Sequence, residues 1–224
     1  MTRGTTLLND DGTASMATLL LMSHHAFRRD LTRFSALLAK LGTPDPTKAE
    51  ALRAEWRSYH EALHGHHMME DGNIFPGLRN AHVELSSVID KLTEEHHRID
   101  PLLEQGDHAF AEPFDATAAK GIVAELTALL DAHLEREEAA IAPHLRGAKA
   151  FPPPPDEKLL DVYAQGFAWS MHGIAEEVTR EVEKLLPAGL VARVPAARAA
   201  FNQRCVRVWG SAEAGRSLTS IPES

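Results

Sequence analysis

Apolar positions along this chain recur at helical rather than alternating spacing. Leu20, His24, Phe27, Leu31, Phe34 and Leu38 follow one another in steps of four and three, which predicts a helix from Ser15 that ends at "GTPDPTK", residues 42–48. A second helix is predicted from Thr47 to Ile74, with Trp56, Tyr59, Leu63, His66, Glu70 and Ile74 on one stripe and Pro76 and Gly77 closing it. The third spans roughly 81–105 with Ile89, Leu92, His96, Ile99 and Leu103 in register, and Pro101 inside it predicts a kink or a break. After a loop, "GDHAFAEPFDA", the fourth runs from about Ala116 to Arg146 with Ile122, Leu126, Leu129, His133 and Glu137 on its stripe.

No segment alternates convincingly as a strand, so the expected fold is all-α, a four-helix bundle over residues 15–150. Residues 1–14 lack periodicity and are expected to form a flexible N-terminal tail. "FPPPPDE", 151–157, is the clearest boundary, because consecutive prolines favour a stiff extended linker. Beyond it a C-terminal helical extension is expected over 158–210: one helix through "KLLDVYAQGFAWSMHGIAEEVTREVEKLL", then a second after Pro195. Residues 211–224 are again tail-like.

Candidate chemistry appears when the helices are laid side by side. His66-x3-Glu70-x5-Pro76-x-Leu78 recurs as His133-x3-Glu137-x5-Pro143-x-Leu145, and Leu20-x3-His24-x2-Phe27-x3-Leu31 is matched by Leu92-x3-His96-x2-Ile99-x3-Leu103. A histidine and a glutamate four apart share a helix face. Two such pairs with two lone histidines would put four imidazoles and two carboxylates inside a bundle, where they are costly unless paired or metal-bound. The mixed nitrogen and oxygen set suits iron, manganese or zinc better than calcium or magnesium.

A rival stripe, His60, His64, His67 and Asp71, runs beside this one, and spacing alone does not exclude it. The core residues Tyr59 and Leu63 favour the His66 stripe and send His60, His64 and His67 to the neighbouring face. His25 and His97 follow proposed ligands and point away by about 100°. His82, His108 and His144 have no partner pattern, and Tyr59 is expected as a core aromatic near the pocket. Arg28 is expected to pair with a carboxylate at the bundle end.

Composition narrows the field further. The 224 residues are 44% hydrophobic and 25% charged with a net charge of −9, ordinary for a soluble domain and unsuited to nucleic acid. The single cysteine, Cys205, fits a reducing cytoplasm, and "MATLLLM" is too short to span a bilayer and is expected as helix rather than signal. No GxSxG, P-loop or GxGxxG motif competes.

"SHHAFRRDL", "LHGHHMMEDGNIFPGL", "LTEEHHRIDPLL" and "HLEREEAAIAPHL" resemble the four ligand-bearing helices of the hemerythrin-like, HHE cation-binding family, over roughly residues 16–147. The resemblance implies an up-down-up-down bundle around a non-haem di-iron centre, oxo- or hydroxo-bridged, with zinc or manganese as alternative ions. Carried over position by position, it implies the ligands His24, His66, Glu70, His96, His133 and Glu137, with the glutamates bridging. The chain departs from typical hemerythrin in two places: His96 is followed by Asp100 rather than by a second histidine one turn on, and the last helix has His133-x3-Glu137 rather than His-x4-Asp. One of five family histidines is thus unaccounted for. His172 and Asp100 are the candidates, as a further ligand or as a group that orients one.

Three functions are compatible with this reading. The first is a di-iron protein that binds or reacts with O2, NO or H2O2, an oxidoreductase if it turns over; four imidazoles for two ions leave open positions and favour reactivity over oxygen carriage. The second is a sensing or iron-handling module reporting through the C-terminal helices. The third is a structural metal bundle, with zinc as the natural ion. The expected partner is a small diatomic or peroxide ligand, with neither nucleic acid nor membrane.

Overall fold

A computed structural model describes residues 5–42, 44–151, 156–212 and 218–221. Ten helices, numbered in chain order, dominate these residues, and the only named strands are β1 (Thr5–Thr6) and β2 (Ser220–Ile221), which pair antiparallel. The four long helices are α1 (Met16–Leu38), α2 (Pro46–Met69), α4 (Ser86–Ala109) and α5 (Ala116–Ala140), with short α3 (Phe75–Ala81) and α6 (Ala142–Leu145) following α2 and α5. The C-terminal part holds α7 (Leu160–Ser170), α8 (Glu176–Glu183), α9 (Ala188–Val191) and α10 (Val194–Trp209). None of the described helices is long and apolar enough to cross a membrane.

Local signals explain the starts. The Asp45 carboxylate accepts from the Lys48 N–H ahead of α2, with Pro46 in the first turn, and Asp115 accepts from Thr117 and Ala118 ahead of α5. Pro101 neither breaks α4 nor ends it; the helix continues to Ala109. Pro76 does not close α2 as its sequence suggests. α2 passes into a π-helical turn, Glu70–Ile74, and Pro76 sits in the first turn of α3, where its missing N–H costs nothing. The single long helix expected after residue 157 is instead divided, because Gly173 takes a left-handed φ of 89° between α7 and α8.

Two compact units emerge, residues 27–140 and residues 1–26 with 141–224. In the first, α5 packs along α4, and α2 also lies against α4. Buried Phe34, Trp56, Tyr59 and Phe110 form its aromatic centre, with the Trp56 and Phe110 rings stacked at 4.7 Å. The apolar line of α5 falls on Val123, Leu126 and Leu130 rather than on Ile122 and Leu129, which are half-buried.

In the second unit, residues 5–14 are tied down where a loose tail was expected. Leu7 is buried, its carbonyl accepts from Thr18 Oγ1 at 2.7 Å and from the Arg146 guanidinium at 3.0 Å, and Thr5–Thr6 pair with Ser220–Ile221. α7 packs on α10 around Ala168, Phe201 and Cys205. The proline run 152–155, expected as a spacer, lies outside the described residues.

Candidate metal centre

Two groups of buried side chains meet among the helices. In the first, one nitrogen from each of His67, His96 and His133 lies within 4.8 Å of the others; in the second, His24, His66, Glu70 and Glu137 converge in the same way. All six residues singled out by register are therefore brought together, and one that register had rejected joins them. α1 is one unbroken helix, so His24 rides on the same rod as Phe27, Leu31 and Phe34.

His67 is 2% exposed and His66 is 11% exposed. Helix geometry explains why both point inward. From Leu63, three residues on is a rotation of about −60° and four residues on is about +40°, so the two histidines straddle the line on which Leu63 lies. Each serves a different group. A step of four from Leu63, rather than three, was the signal that would have found His67.

The carboxylates connect the groups. Glu70 Oε1 lies 2.8 Å from His66 Nε2 in the second group, and Glu70 Oε2 lies 3.5 Å from His96 Nε2 in the first. Glu137 Oε2 lies 3.8 Å from His133 Nε2. Two ligand atoms that each sit about 2.1 Å from a shared ion are about 3.0 Å apart at a right angle and about 3.4 Å apart in a tetrahedron, so these separations have the scale of coordination edges.

Behind each imidazole of the first group stands a carboxylate. His96 Nδ1 lies 2.9 Å from Asp71 Oδ2, His133 Nδ1 3.2 Å from Glu95 Oε2, and His67 Nδ1 3.5 Å from Asp100 Oδ1. The supports are themselves held: Thr93 Oγ1 donates to Asp71 at 2.8 Å and the Arg136 guanidinium grips Glu95 at 2.5 and 2.6 Å. Such a carboxylate accepts the Nδ1 proton, which leaves the Nε2 lone pair facing the other ring nitrogens. Nε2 of His67 and Nε2 of His96 are buried and make no hydrogen bond. A buried polar atom left in that state costs about 1–3 kcal/mol, and a metal ion at the meeting point is the partner the geometry admits.

Electrostatics agree with this picture. Burial pushes the Glu70 carboxyl well above its usual range, and the neighbouring Glu137 pushes it the same way. Burial lowers the His67 imidazole, against a smaller opposing pull from Asp100, and the Asp100 carboxyl is lowered by its bond to His67. The pocket wall is aromatic. Phe75 stacks on His96 at 5.8 Å, Phe27 lies against His66 at 5.3 Å, and buried Tyr59 meets Phe27 edge-on at 5.8 Å.

The other expected residues fall elsewhere. His172 belongs to neither group; it sits at the α7–α8 break with its ring edge-on to Phe201 at 5.1 Å. Asp100 supports His67 and is not in either group. Arg28 reaches Glu138 at 2.5 Å and Asp131 at 3.4 Å. Glu95 carried no sequence signal, because its partner His133 lies on another helix; Asp71 had appeared only in the rival stripe.

Residues 15–156 match the family model described as the hemerythrin HHE cation-binding domain. No curated protein and no solved structure matches the chain.

Proposed function

Because the chain belongs to the hemerythrin HHE cation-binding family, we propose that its two buried groups hold a non-haem di-iron centre that binds or reacts with a small molecule of the class of O2, NO or H2O2. The observation that carries this reading is the pair of glutamates shared between three imidazoles on one side and two on the other. His67, His96 and His133 would hold one ion and His24 and His66 the other, with Glu70 and Glu137 common to both. When bound, such a pair supplies electron transfer and Lewis acidity. Zinc or manganese would find the same donors acceptable.

The chain's own residues shape the rest. Asp71, Glu95 and Asp100 keep the three imidazoles in the tautomer that offers Nε2. Phe27 and Phe75 close the walls with apolar surface, which admits a small molecule and excludes bulk water. With five imidazoles divided three and two, the second group has the fewer protein donors, and its His66 is the most exposed of the seven side chains. Small-molecule access is therefore assigned to the His66 side.

The test is metal analysis with absorption spectroscopy on protein from iron-supplemented culture. We expect close to two irons per chain, and visible charge-transfer bands when reduced, anaerobic protein meets O2 or peroxide. His67→Ala and His66→Ala should each lose metal, while His97→Ala, altered on an exposed face, should not. An iron-replete sample that stays spectrally inert towards O2, NO and peroxide would overturn the small-molecule reading.

A further inference from the structure

The buried centre absorbs His67 and Asp71 from the rival stripe on α2 and leaves His60 and His64 unused. These two stand one helical turn apart, with ring centroids 6.2 Å from each other and planes at 89°. Each has a carboxylate of α4 behind it: His60 Nδ1 lies 2.9 Å from Asp107 Oδ2 and His64 Nδ1 lies 3.5 Å from Asp100 Oδ2. The arrangement repeats, at the surface, the device that orients the buried imidazoles. Here the rings are open to solvent, His60 at 22% and His64 at 50% exposure.

We propose that His60 and His64 form a second site, reachable from solvent, for a single divalent transition-metal ion. A carboxylate that accepts the Nδ1 proton leaves Nε2 as the lone pair for a ligand. Two imidazoles with water in the remaining positions select zinc, copper or nickel over calcium or magnesium. The spacing supports one shared ion. A ring centroid sits about 3.2 Å from an ion bound through Nε2, so two rings on a tetrahedral ion have centroids about 5.2 Å apart and two rings at a wider angle approach 6.4 Å. The 6.2 Å observed corresponds to an angle of about 150° at a shared ion, so a tetrahedral ion would draw the two rings together by about 1 Å, a movement that side-chain rotation at these positions supplies.

Asp100 links this site to the buried centre. Asp100 faces exposed His64 with Oδ2 and buried His67 with Oδ1, both at 3.5 Å. An ion held at His60 and His64 is thus one carboxylate away from the first buried group.

Calorimetric titration of the full chain with zinc decides the matter, comparing wild type with His60→Gln/His64→Gln. Both substitutions are at solvent-open positions and keep a polar side chain. Wild type should bind one more zinc per chain than the double variant, and His64→Gln alone should lose the same ion. Nitrogen NMR should show the His60 and His64 Nε2 signals moving together over that phase. Equal stoichiometry in wild type and variants, or two imidazoles that respond at different zinc concentrations, would overturn the proposal. If the buried groups take no zinc, wild type binds one ion and the double variant none. Failure of the buried centre is therefore not mistaken for failure of this site.

Discussion

Asp71, Glu95 and Asp100 touch no ion in the proposed centre, yet each fixes the direction in which one imidazole offers its lone pair. Removing such a support typically weakens metal affinity about 10–100-fold without dismantling the fold. Asp71→Asn and Glu95→Gln should therefore bind competitively titrated zinc that much more weakly, with circular dichroism unchanged. Glu70 sets the pH dependence. A carboxyl whose pKa is raised by folding adds its stability below the ordinary glutamate range, about 4.3, and loses it as pH rises through the elevated folded value. Metal needs the ionised form, so the raised Glu70 carboxyl makes metal binding weaken as pH falls. Metal should thus raise the melting temperature more at pH 7.5 than at pH 5.5, read by scanning calorimetry at a fixed excess of metal.

Among the elements, the approach of α2 to α4 turns on a missing side chain. A Cβ built on Gly106 would meet the Trp56 indole at 1.9 Å, far inside van der Waals contact. Gly106→Ala should destabilise the chain by about 1–3 kcal/mol through overpacking, and Trp56→Leu in the same molecule should return part of it, both read from denaturant melts. Much of this architecture could be read in advance. Helical periodicity found the four long helices, and register with repetition found six of the seven converging side chains. His67 escaped because neighbouring residues of a helix are about 100° apart and only one was granted to the core face. The π-turn escaped for a different reason. Both halves of the repeat place a proline six residues after the glutamate, but one spends that distance in a π-turn and the other in a break at Ile141. Spacing is blind to that choice, as it was to the left-handed Gly173 that divides the extension.

For the molecule as a whole, the metal should act as part of the fold. A ligand present at about a thousand times its Kd and bound only by the native state adds ~4 kcal/mol. Chelation should therefore lower the melting temperature and raise hydrogen exchange in α2, α4 and α5, which carry five of the seven side chains. The same experiment decides whether the C-terminal helices report on the centre. A metal-dependent change in exchange over residues 157–210 is what sensing requires, and identical protection removes that role.

The π-turn has one more consequence. His66 and His67 precede it, Phe75 follows it, and Glu70 and Asp71 lie in it. Wound as ordinary α-helix, the same residues would rotate the flank beyond the turn by about 100° relative to the flank before it. Phe75 would swing off His96 while both histidines kept their identity. A one-residue deletion at Gly72 or Asn73 should accordingly be absorbed as the turn closes to α-helix with its flanks in register, whereas a one-residue insertion should rotate Phe75 away from His96 and weaken metal binding.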